Sequence, residues 1–173
     1  QLQYTTETCA GPCPAGQACF SQAKPVLISS TVPINCEPGT FSAGGATACE
    51  LCDAGYFCRG RSVSAKGKAD TTAMDTPCGP GRYGNAGATN DMCSGECRAG
   101  YYCPAGSSSS TAEKCGQRLN GVFCPPGSSE AQLVPDGKLA IGGVDARTRT
   151  DIVDCPPGAF CVGDTQTGCP KGK

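Results

Sequence analysis

The chain has 173 residues, 16 of them Cys and none His or Trp, with a formal net charge of −1. An even count of Cys at about nine per cent points to a disulfide scaffold in an oxidising compartment, secreted, extracellular or at the cell surface. The near-neutral charge and the lack of a basic run argue against nucleic acid and anionic membrane as partners, and no apolar stretch reaches the roughly 18 residues of a membrane span.

The apolar fraction of 38% counts Cys and many Ala. Leu, Ile, Val and Phe together supply only 23 residues, about 13% of the chain. That is too little to offset a backbone entropy of about 1–2 kcal/mol per ordered residue. Cross-links therefore replace the missing core. In the chain-entropy picture a disulfide closing about 7 residues contributes roughly 2.4 kcal/mol and one closing about 14 roughly 3 kcal/mol. The expected fold is small and disulfide-rich: elongated tandem cysteine-rich repeats with short β-hairpins and little helix.

Residues 1–35 read as a partial N-terminal unit. It holds Cys9, the tetrad Cys13-Pro14-Ala15-Gly16, Cys19 and a β-prone apolar insert at 24–35. Residues 36–77 and 78–114 read as two cysteine-rich repeats. The tetrad Cys-x-(Pro/Ala)-Gly recurs eight times, beginning at Cys13, Cys36, Cys52, Cys78, Cys97, Cys103, Cys124 and Cys155. Cys36-Glu37-Pro38-Gly39-Thr40-Phe41 leads to Gly45-Ala46-Thr47. Cys78-Gly79-Pro80-Gly81-Arg82-Tyr83 leads in the same spacing to Gly87-Ala88-Thr89, 42 residues on. Pro-Gly after Cys predicts a type II turn, since Pro presets φ at the second position and Gly tolerates φ > 0 at the third. Phe41 and Tyr83, and Tyr56-Phe57 and Tyr101-Tyr102 in the shorter loops, are placed to cover a neighbouring disulfide. Such units, each in contact mainly with its neighbours, form a repeat array.

Residues 104–114, with the run Ser107, Ser108, Ser109, Ser110 and Thr111, read as a flexible or O-glycosylated segment. Residues 115–154 read as a divergent repeat with a Cys-free insert. Within it Gln132 to Ile141 reads as one β-hairpin around Pro135-Asp136-Gly137. This ribbon and the 24–35 insert are either local patches or subunit contact strands. Residues 155–173 open a further repeat, and the natural chain is expected to extend past Lys173.

The string Cys-x-Pro-Gly-x-(Phe/Tyr), Gly-Ala-Thr, Cys-x2-3-Cys, Cys-x-Ala-Gly-Tyr-(Phe/Tyr)-Cys resembles the ephrin-receptor-like cysteine-rich repeats, akin to tumour-necrosis-factor-receptor modules. It fits well over 36–103 and loosely over 9–35 and 115–173. Similar stretches are found in protist and algal extracellular proteins, including flagellar-hair (mastigoneme) shafts. The resemblance implies a secreted, often glycosylated, structural or receptor ectodomain, and no ligand. Sequence alone does not fix the pairing. Joining neighbours gives Cys13–Cys19, Cys36–Cys49, Cys52–Cys58, Cys78–Cys93, Cys97–Cys103, Cys115–Cys124 and Cys155–Cys161. The receptor-like alternative interleaves some of these, carrying Cys58 forward to Cys78. Neighbour pairing leaves Cys9 and Cys169 for intersubunit or external bonds.

Catalytic chemistry is not expected. Cys49-Glu50-Leu51-Cys52 lacks the second pair or the His ligands of a zinc site, and without His there is no Ser-His-Asp or Cys-His nucleophile. The acids Asp53, Asp75, Asp91, Glu113 and Asp136 are scattered, and no phosphate loop, cofactor or metal motif occurs. No Asn-x-Ser/Thr sequon is present, which leaves O-linked glycans at Ser107–Thr111 or Thr71–Thr72. The leading expectation is a structural protomer of a fibre, flagellar hair or coat, whose partners are copies of itself. The alternatives are a ligand-binding ectodomain and a protease inhibitor presenting Arg147 or Arg149.

Overall fold

The computed structural model describes residues 13–21 and 31–170. Among them are seven two-stranded antiparallel ribbons and a single short 3-10 turn, Cys115–Gln117. The chain divides into two compact units, one of residues 1–77 with 85–93 and one of residues 78–84 with 94–173.

Each of the eight sequence tetrads folds as a tight turn. Its third-position glycine (Gly16, Gly39, Gly55, Gly81, Gly100, Gly106, Gly127 and Gly158) has φ between 76° and 87°, and the next residue's N–H closes a four-residue turn. Thr40 N–H donates to Glu37 C=O at 3.0 Å and Tyr101 N–H to Arg98 C=O at 3.1 Å. This is the type II geometry that Pro/Ala-Gly dictates.

Most of these turns launch a hairpin. In the first unit, β1 (Gln17–Ser21) pairs with β2 (Thr31–Asn35), and β3 (Thr40–Phe41) with β4 (Glu50–Leu51). In the second unit, β5 (Arg82–Tyr83) pairs with β6 (Gly95–Glu96), and β7 (Tyr101–Tyr102) with β8 (Glu113–Lys114). β9 (Val122–Phe123) pairs with β10 (Gln132–Leu133), β11 (Lys138–Ile141) with β12 (Asp151–Asp154), and β13 (Ala159–Val162) with β14 (Thr165–Gly168). Each ribbon closes the same way: the residue after its second strand donates its N–H to the turn glycine's carbonyl. Cys36 bonds Gly16, Cys52 bonds Gly39, Cys97 bonds Gly81, Cys115 bonds Gly100, Cys155 bonds Gly137 and Cys169 bonds Gly158. In the β9–β10 ribbon, Val134 bonds Gly121.

If g denotes the turn glycine of a module (16, 39, 55, 81, 100, 121, 137 or 158), three kinds of backbone bond join successive modules. All three occur at the junctions of 16 with 39, 39 with 55, 81 with 100 and 100 with 121, two at that of 55 with 81, and the g+3 bond alone at the last two. The g N–H donates to the g+3 carbonyl of the next module: Gly16 to Ser42 and Gly39 to Cys58 in the first unit, Gly81 to Cys103 and Gly100 to Cys124 in the second. The g+3 N–H donates further along the next module's loop, as Cys19 to Ala46, Cys58 to Ala88 and Cys103 to Ser128. In return, the loop's g+6 N–H donates to the g−3 carbonyl of the earlier module, as Gly45 to Cys13, Gly87 to Cys52 and Gly127 to Cys97. The g+6 residue adopts positive φ, which explains Arg61 at +53°, standing where other modules have Gly45, Gly87, Gly106 and Gly127.

The interior is sulfur. Among the largest fully buried side chains, seven are cysteines (52, 58, 78, 97, 103, 115 and 124), beside only Val122 and Ser62. The Cys115–Cys124 bond packs with Val122, Tyr102 and Ala131. A small disulfide-rich fold of short hairpins with almost no helix is what the structure contains.

Two expectations are corrected. Gln132 to Ile141 is not one hairpin: Gln132–Leu133 pairs back with β9, and Lys138–Ile141 pairs forward with β12. Pro135-Asp136-Gly137 makes the same four-residue turn as the Cys tetrads, with Lys138 N–H donating to Pro135 C=O at 3.1 Å and Gly137 at φ +76°. It joins two ribbons rather than the arms of one. Residues 104–114 are not a free linker but the loop and second strand of the β7–β8 ribbon. Their backbone is tied down by bonds from Arg98 N–H to Ser110 C=O and from Gly84 N–H to Ser107 C=O. Of the apolar insert 24–35, Thr31–Asn35 forms β2, and 24–30 lies outside the described residues.

Candidate interaction surface

The staples follow from the turns. Cys13–Cys19, Cys52–Cys58, Cys97–Cys103 and Cys155–Cys161 each bridge positions g−3 and g+3, with Cα atoms 5.7, 6.4, 5.8 and 5.7 Å apart. The turn that reverses the chain thus brings its two flanking sulfurs within bonding reach. Cys36–Cys49 spans a wider loop, and Cys115–Cys124 closes round the 3-10 turn. Cys78 and Cys93 are also disulfide-bonded. Cys58 closes on Cys52 and not on Cys78. Cys49 and Cys52 belong to different bridges, so the Cys-x2-Cys spacing is not a ligand pair. Cys169 is an exposed free thiol; Cys9 lies outside the described residues.

In the module of Gly137, both Cys positions hold other residues. Val134 stands at g−3 and Ala140 at g+3, and their backbones make the bonds made elsewhere by cysteines: Val134 N–H to Gly121 C=O and Ala140 N–H to Gly163 C=O, both at 2.9 Å. Ala140 is buried and Val134 half-buried, so two small apolar side chains stand at the bridging positions.

Position g+2 carries an aromatic ring in six modules: Phe41, Phe57, Tyr83, Tyr102, Phe123 and Phe160. Phe57 is 6% exposed and carries the Arg59 guanidinium 5.1 Å from its ring centroid. Phe160 is 52% exposed. The sheet around it is open too, with Val162 at 70% and every residue of β14 exposed.

Charge is local and solvated. Lys138 and Asp154 pair across the β11–β12 ribbon at 2.6 Å, and Arg149 lies 3.7 Å from Asp164 while donating to Gly142 C=O at 3.2 Å. The exposed Lys138–Asp154 pair contributes about 0–1 kcal/mol, while Arg149 and Asp164 are both half-buried. The Asp145 carboxylate accepts Arg147 N–H at 2.8 Å, and this bond, seconded by Thr148, holds its pKa below the usual carboxylate range. Asp70 is lowered in the same manner by the Thr72 hydroxyl and the Thr72 and Ala73 amides. A shallow cleft of about 300 Å³ lies between Gly121, Val134, Asp136 and Asp164.

Arg149 is drawn back by its bonds, and Arg147 sits in the bend between β11 and β12, its carbonyl taken by Gly116 N–H. Ser108, Ser109 and Thr111 are exposed, while Ser107 and Ser110 are half-buried. The scattered acids Asp53, Asp75, Asp91, Glu113 and Asp136 stay dispersed; Asp75 pairs with Lys68 and Asp91 with Arg59, each at 3.7 Å. The open β13–β14 hairpin gave no sequence signal of its own, since Phe160 occupies the same place in its motif as Phe41. No helix of the described residues is long and apolar enough to cross a membrane. No protein-family model matches this chain, and no curated protein matches it.

Proposed function

We propose that this extracellular, disulfide-stapled chain is a structural protein whose modules assemble with copies of themselves into a fibre, flagellar hair or surface coat. The extracellular or secreted setting rests on the disulfides themselves, because a reducing compartment would open them. The observation that carries the structural reading is the junction between modules. At all seven junctions the g+3 N–H donates to the next module, and at four of them bonds at g and g+6 join it, so the same main-chain contact repeats while side chains vary. A scaffold that spends its backbone polar groups on repetition suits mechanical continuity. In this reading the chain carries no chemistry of its own, its kinship is with ephrin-receptor-like repeats, and Ser108, Ser109 and Thr111 are the exposed hydroxyls for O-linked glycans. Electron microscopy of the unreduced protein beside a reduced sample tests it. Regular filaments that fray on reduction are expected. Dispersed single particles at high concentration, with no filaments under any condition, would refute assembly.

A further inference from the structure

Among the described residues the main chain beside almost every basic side chain is engaged. Arg82, Lys114 and Lys138 lie within ribbons. The carbonyls of Lys66, Arg98, Arg147 and Arg149 accept the N–H groups of Thr76, Tyr101, Gly116 and Cys124. Lys68 C=O accepts Val63 N–H, and Arg61 N–H donates to Cys36 C=O. Arg59 is exposed, but it follows the buried Cys58, and its guanidinium lies over the Phe57 ring and 3.7 Å from Asp91.

Arg118 differs from all of these. Gln117, Arg118, Leu119 and Asn120 are exposed in succession, Leu119 at 55%. Among the described residues no backbone partner holds the N–H of Leu119 or Asn120, or the carbonyls of Arg118 and Leu119. Nor does any ion pair among them include the Arg118 guanidinium. The preceding 3-10 turn, Cys115–Gln117, is a single short one, and its Gly116 already departs from helical dihedrals (φ −88°, ψ 24°). A protease takes its substrate extended, so little besides this turn has to open for the Arg118–Leu119 bond to enter a cleft. Exposed, weakly bonded loops of this kind are the usual sites of nicking, because their local opening is the cheapest in the fold.

We propose that the Arg118–Leu119 bond is a processing site for an arginine-specific serine endoprotease, cut in the folded chain and held together afterwards by Cys115–Cys124. The free guanidinium suits a specificity pocket with an acid at its base. Hydrolysis breaks the C–N bond between the two residues; water supplies the oxygen of the new Arg118 carboxylate and the hydrogen taken up by the new Leu119 amine. The cut falls inside the loop that Cys115 and Cys124 close, with their Cα atoms 5.8 Å apart. Every other disulfide of the described residues lies wholly on one side of it. Both sulfurs are buried, Cys115 at 2% and Cys124 at 0% exposure, so the fold shields the bridge from reductants. Two backbone bonds also cross the cut, Gly100 N–H to Cys124 C=O and Gly116 N–H to Arg147 C=O, each at 2.8 Å. Processing therefore leaves the modules in place and moves the covalent continuity of the array from the main chain onto one disulfide. This goes beyond the fibre reading and does not depend on it.

The test is limited digestion of the folded, unreduced protein with trypsin at a low ratio, followed by gel and mass spectrometry. The first cut is expected at Arg118–Leu119, about tenfold or more faster than at any other basic residue of the described segments. Without reductant the product should remain one species; with reductant and denaturant it should part into 1–118 and 119–173. Arg118→Gln is expected to abolish that cut and leave the melting temperature unchanged, and Arg118→Lys to restore it. A first cut at another of those residues, or a folded chain that resists cutting at Arg118, would overturn the proposal. Trypsin held inactive with the bond intact would also overturn it, since the loop would then serve an inhibitor. Fragments that separate without reductant would overturn the holding role of Cys115–Cys124. Digestion of the unmutated chain decides the matter even if a variant folds poorly, and filament formation is read separately by microscopy.

Discussion

Installing a bridge in the one module that lacks cysteines tests the module scheme directly. Val134 and Ala140 lie three residues either side of Gly137, as four native bridges lie about Gly16, Gly55, Gly100 and Gly158, with Cα separations between 5.7 and 6.4 Å. Val134→Cys with Ala140→Cys is therefore expected to oxidise spontaneously into a further disulfide. Closing a loop of about 7 residues removes roughly 2.4 kcal/mol of unfolded-state entropy. Fitting sulfur at the buried Ala140, and losing the Val134 methyls, offsets part of this, at the low end of the about 1–3 kcal/mol of an overpacked site. A net gain of about 1–2 kcal/mol remains, or roughly 2–8 °C in melting temperature for a chain of this size. Thiol titration of the folded, oxidised protein gives the first readout, and thermal unfolding against each single variant gives the second. Two extra titratable thiols in the double variant would refute the assignment of Val134 and Ala140 to the bridging positions.

The turn glycines separate two causes that usually act together. Gly100 has φ +83°, and a Cβ there would meet the Thr148 carbonyl oxygen at 2.5 Å; Gly158 has φ +81° with nothing within 4 Å. Gly158→Ala is expected to cost only the left-handed backbone penalty, about 1–2 kcal/mol, and Gly100→Ala about 1–3 kcal/mol more from the backbone clash. Equal losses in guanidinium unfolding of dilute protein would refute the close approach. For Asp145, the folded carboxylate is held below its ordinary 3.8 by the Arg147 N–H, so it favours the folded bend above that pH and loses this as pH falls through its lowered value. The Arg147 amide resonance should shift only below pH 3.8, and Asp145→Asn should abolish that shift; a midpoint at or above the ordinary value would contradict the bond.

The turns were legible because their cause is local: Pro or Ala followed by Gly presets the backbone whatever surrounds it. The size of the module was not. Cys36 to Cys78 repeats after 42 residues, yet the structure places a second module turn, that of Gly55, inside that interval, followed by isolated bridges from Tyr56 to Pro77 and Phe57 to Ala88 rather than a ribbon. Successive modules close differently, Cys36–Cys49 by a wide loop and Cys52–Cys58 by a tight one, so the letters repeat only every second module. The tetrads at Cys103 and Cys124 misled in the opposite direction. Their spelling matches the launching turns, but Gly106 and Gly127 sit at g+6, where they return a bond to Cys78 and Cys97 instead of starting a ribbon. The modules of Gly121 and Gly137 have no Cys tetrad, which is why Pro135-Asp136-Gly137 read as the tip of one hairpin.

These failures share a cause. What joins module to module is a set of main-chain donors and acceptors, and a main-chain bond asks of the side chain only that it not obstruct. Sequence is therefore constrained at g, where φ is positive and at Gly16, Gly39, Gly81 and Gly100 a carbonyl passes too close for a Cβ, and at g+6, where φ is positive in most modules, but hardly anywhere else along the junction. Arg61 shows that even g+6 tolerates a side chain at some strain, and Val134 with Ala140 shows that the bridge itself is dispensable once neighbours hold the ribbon.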